Sequence, residues 1–290
     1  MDKWSGREGV LQQMQRILII RDDSVTAQGL QESLQRPNCS IEVAEGDADA
    51  LQLLRLSSFD VALTSPMSPI KEDLSLITQI EQIRPGVRTI ILAPEATPED
   101  VIAALRARVF ACFSSPFDVV EVAAMAERAL KAGDWRSCIQ VLSAQPNWIA
   151  LRVTCRMLTA ERLVRFIAEL NSDLPDPDRT SLLTAFREIL LNAMEHGAGF
   201  DPEKVVEVSA IRTEGSIVYH FRDPGPGFRG KELPHAASSN PPDNPLGHIE
   251  YRMAQGMRPG GFGILLAQQL VDEMIFNEPC NEVLLIKHVS

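Results

Sequence analysis

The sequence predicts two α/β domains in a chain of 290 residues: first a doubly wound parallel sheet, then a two-layer α/β sandwich. Two observations lead there. In the first half, continuous apolar runs alternate with helical stretches, the pattern of strands buried on both faces. In the second half, strands alternate residue by residue between apolar and polar, as half-buried strands do, and amphipathic helices separate them. A length of 290 residues also favours two domains over one.

The N-terminal apolar runs lie at 17–20, 61–63, 90–92 and 110–113, with a shorter strand at 41–44, so five βα units are expected. Thr97-Pro98-Glu99-Asp100 opens one of the helices. It offers an N-cap hydroxyl, proline at the first helical position and acids in the first turn. This pattern over 15–132 resembles a response-regulator receiver domain, which implies the flavodoxin-like strand order.

The receiver's phosphorylation chemistry is absent from the matching positions. The acidic pair after the first strand reads Arg21-Asp22, followed by Asp23. The phosphoacceptor position holds Ser65, the switch position Ala93, and the lysine position Ser115, before Pro116-Phe117. An aspartyl phosphate needs a carboxylate nucleophile, acids on Mg²⁺ and a lysine on the phosphate. A docking or dimerisation module is therefore expected over 1–132, with a homodimer left open.

The segment 133–146, with Gly133, Trp135 and Pro146, reads as a linker, and the second domain as 147–290. Residues 147–156 alternate strictly, placing Ile149, Leu151, Val153 and Cys155 on one face. Thr159 is positioned to cap a helix whose apolar residues are Leu163, Phe166, Ile167 and Leu170. Strands at 204–212 and 216–223 flank a Glu214-Gly215 turn suited to a hairpin. A strand at 282–288 closes the sheet.

Three short stretches carry the chemistry. In the first, Glu188, Asn192 and His196 are spaced by four, so a helix stacks them on one face, beside an apolar face of Leu182, Phe186, Ile189 and Ala193. Asn192 offers a hard oxygen suited to Mg²⁺, and Glu188 can orient or deprotonate a nucleophile attacking a γ-phosphate. In the second, Asp223-Pro-Gly225-Pro-Gly227-Phe228 ends a strand. A carboxylate there can accept a hydrogen bond from an exocyclic amine such as adenine N6, and the glycines allow close backbone approach. In the third, Gly260-Gly261-Phe262-Gly263 opens a helix at 264–272, leaving backbone N–H groups free to cradle phosphates. No Gly-Lys-Ser/Thr is present, which excludes a Walker-type NTPase.

In this order the stretches resemble the N, G1 and G2 boxes of the GHKL ATPase superfamily, the histidine kinase and Hsp90-like ATP-binding fold. The resemblance is closest to the anti-sigma serine kinase branch. Asp272-Glu-Met-Ile-Phe-Asn277 followed by Asn281-Glu-Val also looks like that branch. It implies ATP and Mg²⁺ as cofactors, Glu188 as catalytic base and Asn192 as metal ligand. Asp223 becomes the adenine reader, and Gly225, Gly227, Gly261 and Gly263 the nucleotide cradle. His196, Phe228, Gly260 and Phe262 complete the binding boxes. The proline- and glycine-rich stretch 229–259 takes the place of the ATP lid, where Lys231, His248, Arg252 and Arg258 can meet phosphate charge, Arg258 lying nearest the glycines.

The resemblance implies a serine/threonine kinase that phosphorylates an anti-anti-sigma (STAS-type) protein and otherwise holds a sigma factor. The alternative is a non-catalytic ATP/ADP-gated interaction module. Histidine kinase activity fits less well, since His196 lies inside the nucleotide box and no separate helical hairpin carries a phosphoacceptor histidine. A net charge of -11 argues against nucleic acid as partner, because phosphate neutralisation needs a basic face. The five cysteines form no CxxC pair, in keeping with reduced cytoplasmic thiols. The first residues do not read as a signal peptide, and no apolar run approaches a membrane span.

Overall fold

The computed structural model describes residues 14–20, 24–227, 253, 254 and 262–289. The chain divides into two compact units, residues 1–94 with 113–131 and residues 95–112 with 132–290.

Five parallel strands lie in the order β2-β1-β3-β4-β5: β1 (Gln15–Ile20), β2 (Cys39–Ala44), β3 (Val61–Leu63), β4 (Arg88–Ala93) and β5 (Ala111–Ser114). Ile17 pairs with Ile41 on one side and Val61 on the other, placing β1 inside the sheet. Residues 17–20 are almost wholly buried, as a strand covered on both faces requires. Helices α1 (Ser24–Leu34), α2 (Asp47–Leu56), α3 (Ile70–Ile83), α4 (Pro98–Arg106) and α5 (Val119–Lys131) alternate with these strands. Leu51 and Leu54 of α2 and Leu76 and Ile80 of α3 pack with Leu18, Ile20 and Ala62 in one core cluster. α1 and α5 pack together. The expected start of α4 is present in full. Thr97 Oγ1 accepts from the Asp100 N–H, and the Thr97 N–H donates to the Asp100 carboxylate at 3.2 Å.

The second sheet has six strands in the order β10-β11-β9-β8-β7-β6. These are β6 (Ile139–Gln145), β7 (Trp148–Thr154), β8 (Val205–Arg212), β9 (Ser216–Arg222), β10 (Glu273–Phe276) and β11 (Glu282–His288). The described pairings are antiparallel. Ile149, Leu151, Val153, Val206, Val208, Ile217, Tyr219, Phe221, Val283 and Leu285 alternate into a buried layer. Its helices are α6 (Met157–Leu170), α7 (Asp176–Asn192) and α8 (Gly263–Leu270), and α7 packs against both α6 and α8. Phe186 of α7 meets Tyr219 edge-on and Phe221 at a tilt, each at 4.9 Å between centroids, which seats the helix on β9.

Several expectations need correction. The supposed linker 133–146 contains β6, which forms a hairpin with β7, and Trp135 within it is buried. Thr159 is not a cap. α6 starts three residues earlier, after Arg156, and Thr159 lies buried inside it, sharing a hydrogen bond of 3.1 Å with Thr154. β11 does not close the sheet, because β10 pairs outside it. Among the described residues, no helix is long and apolar enough to cross a membrane.

Candidate nucleotide site

The site is built where the end of α7 meets the start of α8 and the loop after β9. Glu188 and Asn192 lie four apart on the last turns of α7, whose buried face of Leu182, Phe186 and Ile189 fixes its rotation. The flank that carries Glu188 and Asn192 is thereby turned to the start of α8. Gly263 sits directly on this file. A Cβ there would lie 2.8 Å from Glu188 Oε2 and 3.3 Å from Asn192 Nδ2, so only glycine fits without displacement. The first and third motifs, some seventy residues apart in sequence, therefore meet at their functional atoms. Glu188 also accepts from the Arg187 guanidinium at 3.2 Å.

His196 departs from the α-helical file. After Asn192 the chain widens into a π-turn over Ala193–Gly197, and His196 is exposed within it. An extra residue per turn rotates His196 away from the position that spacing by four assigns. π-turns of this kind are concentrated at functional sites. The turn brings Gly197 onto the strand end at Asp223, where a Cβ on Gly197 would overlap the Asp223 carboxylate.

Asp223 follows β9 and is half-buried. Desolvation raises its pKa above the ordinary carboxylate value, and the Gly225 N–H, donating to Asp223 Oδ1 at 2.7 Å, partly offsets this. A Cβ on Gly225 would lie 2.8 Å from both Asp223 Oδ1 and the Gly197 carbonyl oxygen. Gly227 adopts a left-handed φ of 76°, and a Cβ there would run into the Pro279 carbonyl.

Sequence reasoning missed the brace behind this loop. The Asn281 carbonyl accepts from the Asp223 N–H at 3.0 Å, and Asn281 Nδ2 donates to the Gly225 carbonyl at 3.2 Å. Asn277 holds Asn281 in turn. Its Oδ1 accepts from the N–H groups of Asn281 and Glu282, each at 3.1 Å, and its Nδ2 donates to Asn281 Oδ1 at 2.9 Å. The available signal was the pair of asparagines flanking the β10–β11 turn, a residue type that hydrogen-bonds local backbone.

Phe262 is about half exposed beside Gly263. Phe228, Arg258, Gly260 and Gly261 lie outside the described residues, as do Lys231, His248 and Arg252 of the expected lid. Four glycines approach carboxylates or carbonyls too closely for a side chain, and the loop after β9 presents a carboxylate. Mg²⁺ suits such a site, since it takes one or two protein oxygens and fills the rest with phosphates and water. Among the described residues no group of three or more His, Cys, Asp or Glu side chains could hold a metal.

Family models match two regions: the histidine kinase-like ATPase domain over residues 154–287 and the response regulator receiver domain over residues 17–127. The chain joins a receiver domain to a histidine kinase-like ATPase domain. The matched ATPase region contains all three motifs, and a domain of this type implies ATP binding.

Similarity to curated proteins falls on the receiver. A response regulator receiver protein of Anaeromyxobacter sp. (strain Fw109-5) is 28% identical over 109 residues, covering 38% of this chain and 46% of that protein. The DNA-binding transcriptional regulator NtrC of Escherichia coli (strain K12) is 29% identical over 119 residues, covering 40% of this chain and 25% of NtrC. The chain thus spans less than half the length of these relatives. Among solved structures, a CheY-like receiver domain protein from Methanospirillum hungatei JF-1 is 23% identical, covering 41% of this chain and 94% of that one, with a TM-score of 0.37. The signal receiver domain of an HD domain-containing protein from Pseudomonas fluorescens Pf-5 is also 23% identical, covering 41% of this chain and 96% of that one, with a TM-score of 0.37.

The position expected for the phosphoacceptor in the receiver region holds Ser65. Ser65 is buried there, its hydroxyl accepting from the Met67 N–H at 3.2 Å. Ala93 is buried and Ser115 exposed. Asp22 and Asp23 lie outside the described residues.

Proposed function

We propose that the chain is an ATP- and Mg²⁺-dependent protein serine/threonine kinase of the anti-sigma type. Its substrate in this reading is a serine or threonine on an anti-anti-sigma (STAS-type) protein, and a sigma factor is the competing partner. The observation that carries the reading is the close approach of Gly263 to Glu188 and Asn192. It places a carboxylate and an amide oxygen beside the turn whose N–H groups can receive phosphates.

In this mechanism Asp223 accepts from the adenine amine and fixes the base. Asn192 supplies the protein oxygen to Mg²⁺, and Glu188 takes the proton of the substrate hydroxyl. Mg²⁺, when bound, neutralises charge on the β- and γ-phosphates. Glu188 is three-quarters buried on its side chain, which limits the water that could compete for its proton-accepting oxygen. The receiver serves as a docking or dimerisation module, since Ser65 cannot form an aspartyl phosphate.

A specific contact favours the alternative, an ATP/ADP-gated interaction module without chemistry. Arg187 donates to Glu188 Oε1 at 3.2 Å, which engages one of the two oxygens a base would use. Labelled ATP, Mg²⁺ and a candidate STAS-type protein separate the two readings. Label on a STAS serine or threonine supports the kinase, and nucleotide binding without transfer supports the module.

A further inference from the structure

The face of the second sheet opposite α7 carries apolar side chains. Residues that alternate with the buried layer point to that face, and the strand registers line them up in rows. One row reads Trp148, Ile211, Val218 and Ile286, from β7 through β8 and β9 to β11. All four are apolar, with Trp148 50% and Ile211 47% exposed. In the next row Leu284 lies beside Ile275 of β10, which is 48% exposed. The solvated face of an antiparallel sheet is ordinarily polar. A contiguous apolar strip on it marks an interaction surface.

A third row identifies the occupant. It reads Arg152, Glu207, Arg222 and Glu282 across the same four strands, so its charges alternate in sign. Within the chain Arg152 pairs with Glu207 at 3.0 Å and Arg222 with Glu282 at 3.5 Å. The strand order β10-β11-β9-β8-β7-β6 puts the midline of the sheet between β9 and β8. A half-turn about an axis above the face and parallel to that midline lays a second copy on the first. Each row then meets itself in reverse order. Arg152 faces the partner subunit's Glu282, and Glu207 faces the partner subunit's Arg222. In the apolar row Ile211 faces the partner subunit's Val218, and Trp148 faces the partner subunit's Ile286. Every contact occurs twice, as a closed two-fold interface requires. A row ordered Arg-Glu-Glu-Arg would have set like charges against each other. The four charges also cancel, which lets two chains of net charge -11 approach on this face.

We propose that this face is a two-fold dimer interface, sheet packed on sheet, with a second copy of this chain as its occupant. Packed sheets lie about 10 Å apart with their strands turned by about 30°. The match is therefore best near the midline, at Glu207 against Arg222 and Ile211 against Val218. Phe186 of α7 packs on the other face, against Tyr219 and Phe221, so pairing takes place away from the helix that carries Glu188 and Asn192. The inference depends on neither ATP binding nor phosphate transfer.

Sedimentation equilibrium of the full chain tests this. Wild type should sediment as a dimer at micromolar concentration. Glu207→Arg alone, or Arg222→Glu alone, sets like charges against each other twice, and each should weaken the dimer by about a hundredfold. Mixed in equal amounts, the two variants should pair again, because position 207 of one then faces the opposite charge at position 222 of the other. A merely destabilised sheet would not recover on mixing. Ile211→Lys, at an exposed position, should also dissociate the dimer, with the fold checked by circular dichroism. A monomeric wild type overturns the proposal. So does a dimer that survives all three substitutions, which puts the contact on another surface, or single variants that dissociate and stay apart when mixed.

Discussion

Gly197 lies against the Asp223 carboxylate so closely that no side chain can replace its hydrogen. Gly197 is not among the glycines with left-handed backbone, so any side chain there is opposed by overlap and not by strain. Gly197→Ala must therefore push Asp223 from its place. Losing that charge-assisted hydrogen bond to adenine should weaken ATP binding about tenfold to a hundredfold. Calorimetry with a folded variant checks this, and unchanged affinity would separate Asp223 from adenine recognition.

Asp223→Asn should part stability from function. Burial raises the Asp223 pKa above its ordinary 3.8, so folding is more favourable with the carboxyl protonated than with it ionised. The stability this contributes is present at acid pH and is lost as pH rises through the raised pKa. At neutral pH the Asn variant, free of a desolvated charge, should be at least as stable as wild type, with its relative gain growing as pH rises. ATP affinity should fall, and its acid dependence should flatten, because wild type loses the acceptor on protonation. Urea melts and calorimetry at several pH values measure both effects. A variant less stable at neutral pH than at acid pH, relative to wild type, contradicts this.

The asparagine brace should be felt at the nucleotide. Asn277→Ala removes the acceptor for two backbone N–H groups and frees Asn281 from its place behind Gly225. A loss of about 1–3 kcal/mol is expected in urea melts, together with weaker ATP binding. A stability loss without any change in affinity would make the brace purely structural.

Acetyl phosphate should leave the receiver unmodified, since a buried serine stands at the acceptor position. Intact-mass measurement after incubation reads this directly. Covalent phosphate on Asp22 or Asp23 would restore a phospho-switch.

Much of the fold was legible because its signals are local. Residues 17–20 or 90–92 can hardly be anything but strands buried on both faces, and the Thr97-to-Asp100 start announces α4. The first and third motifs were legible as chemistry, though their meeting at Gly263 needed the fold. What escaped depends on tertiary context. Residues 139–145 carry no stronger alternation than a loop until β7 pairs with them, and Trp135 gave no sign that Arg162 would cover it. The π-turn that moves His196 off the helical file arises from backbone geometry that spacing by four cannot reveal. Thr159 looked like a cap because its residue type favours caps, but burial beside Thr154 placed it inside the helix.

Kinase activity depends most on Glu188. Glu188→Gln keeps size and shape while removing proton acceptance, and the adenine and phosphate contacts lie elsewhere. Phosphate transfer from labelled ATP to the STAS-type protein is the decisive measurement, taken alongside ATP affinity for both forms. Near wild-type affinity is expected, with a transfer rate lower by roughly 10²–10⁴-fold, the usual span of general-base catalysis. Wild type and Glu188→Gln transferring phosphate equally slowly would contradict this and leave the nucleotide-gated interaction module standing.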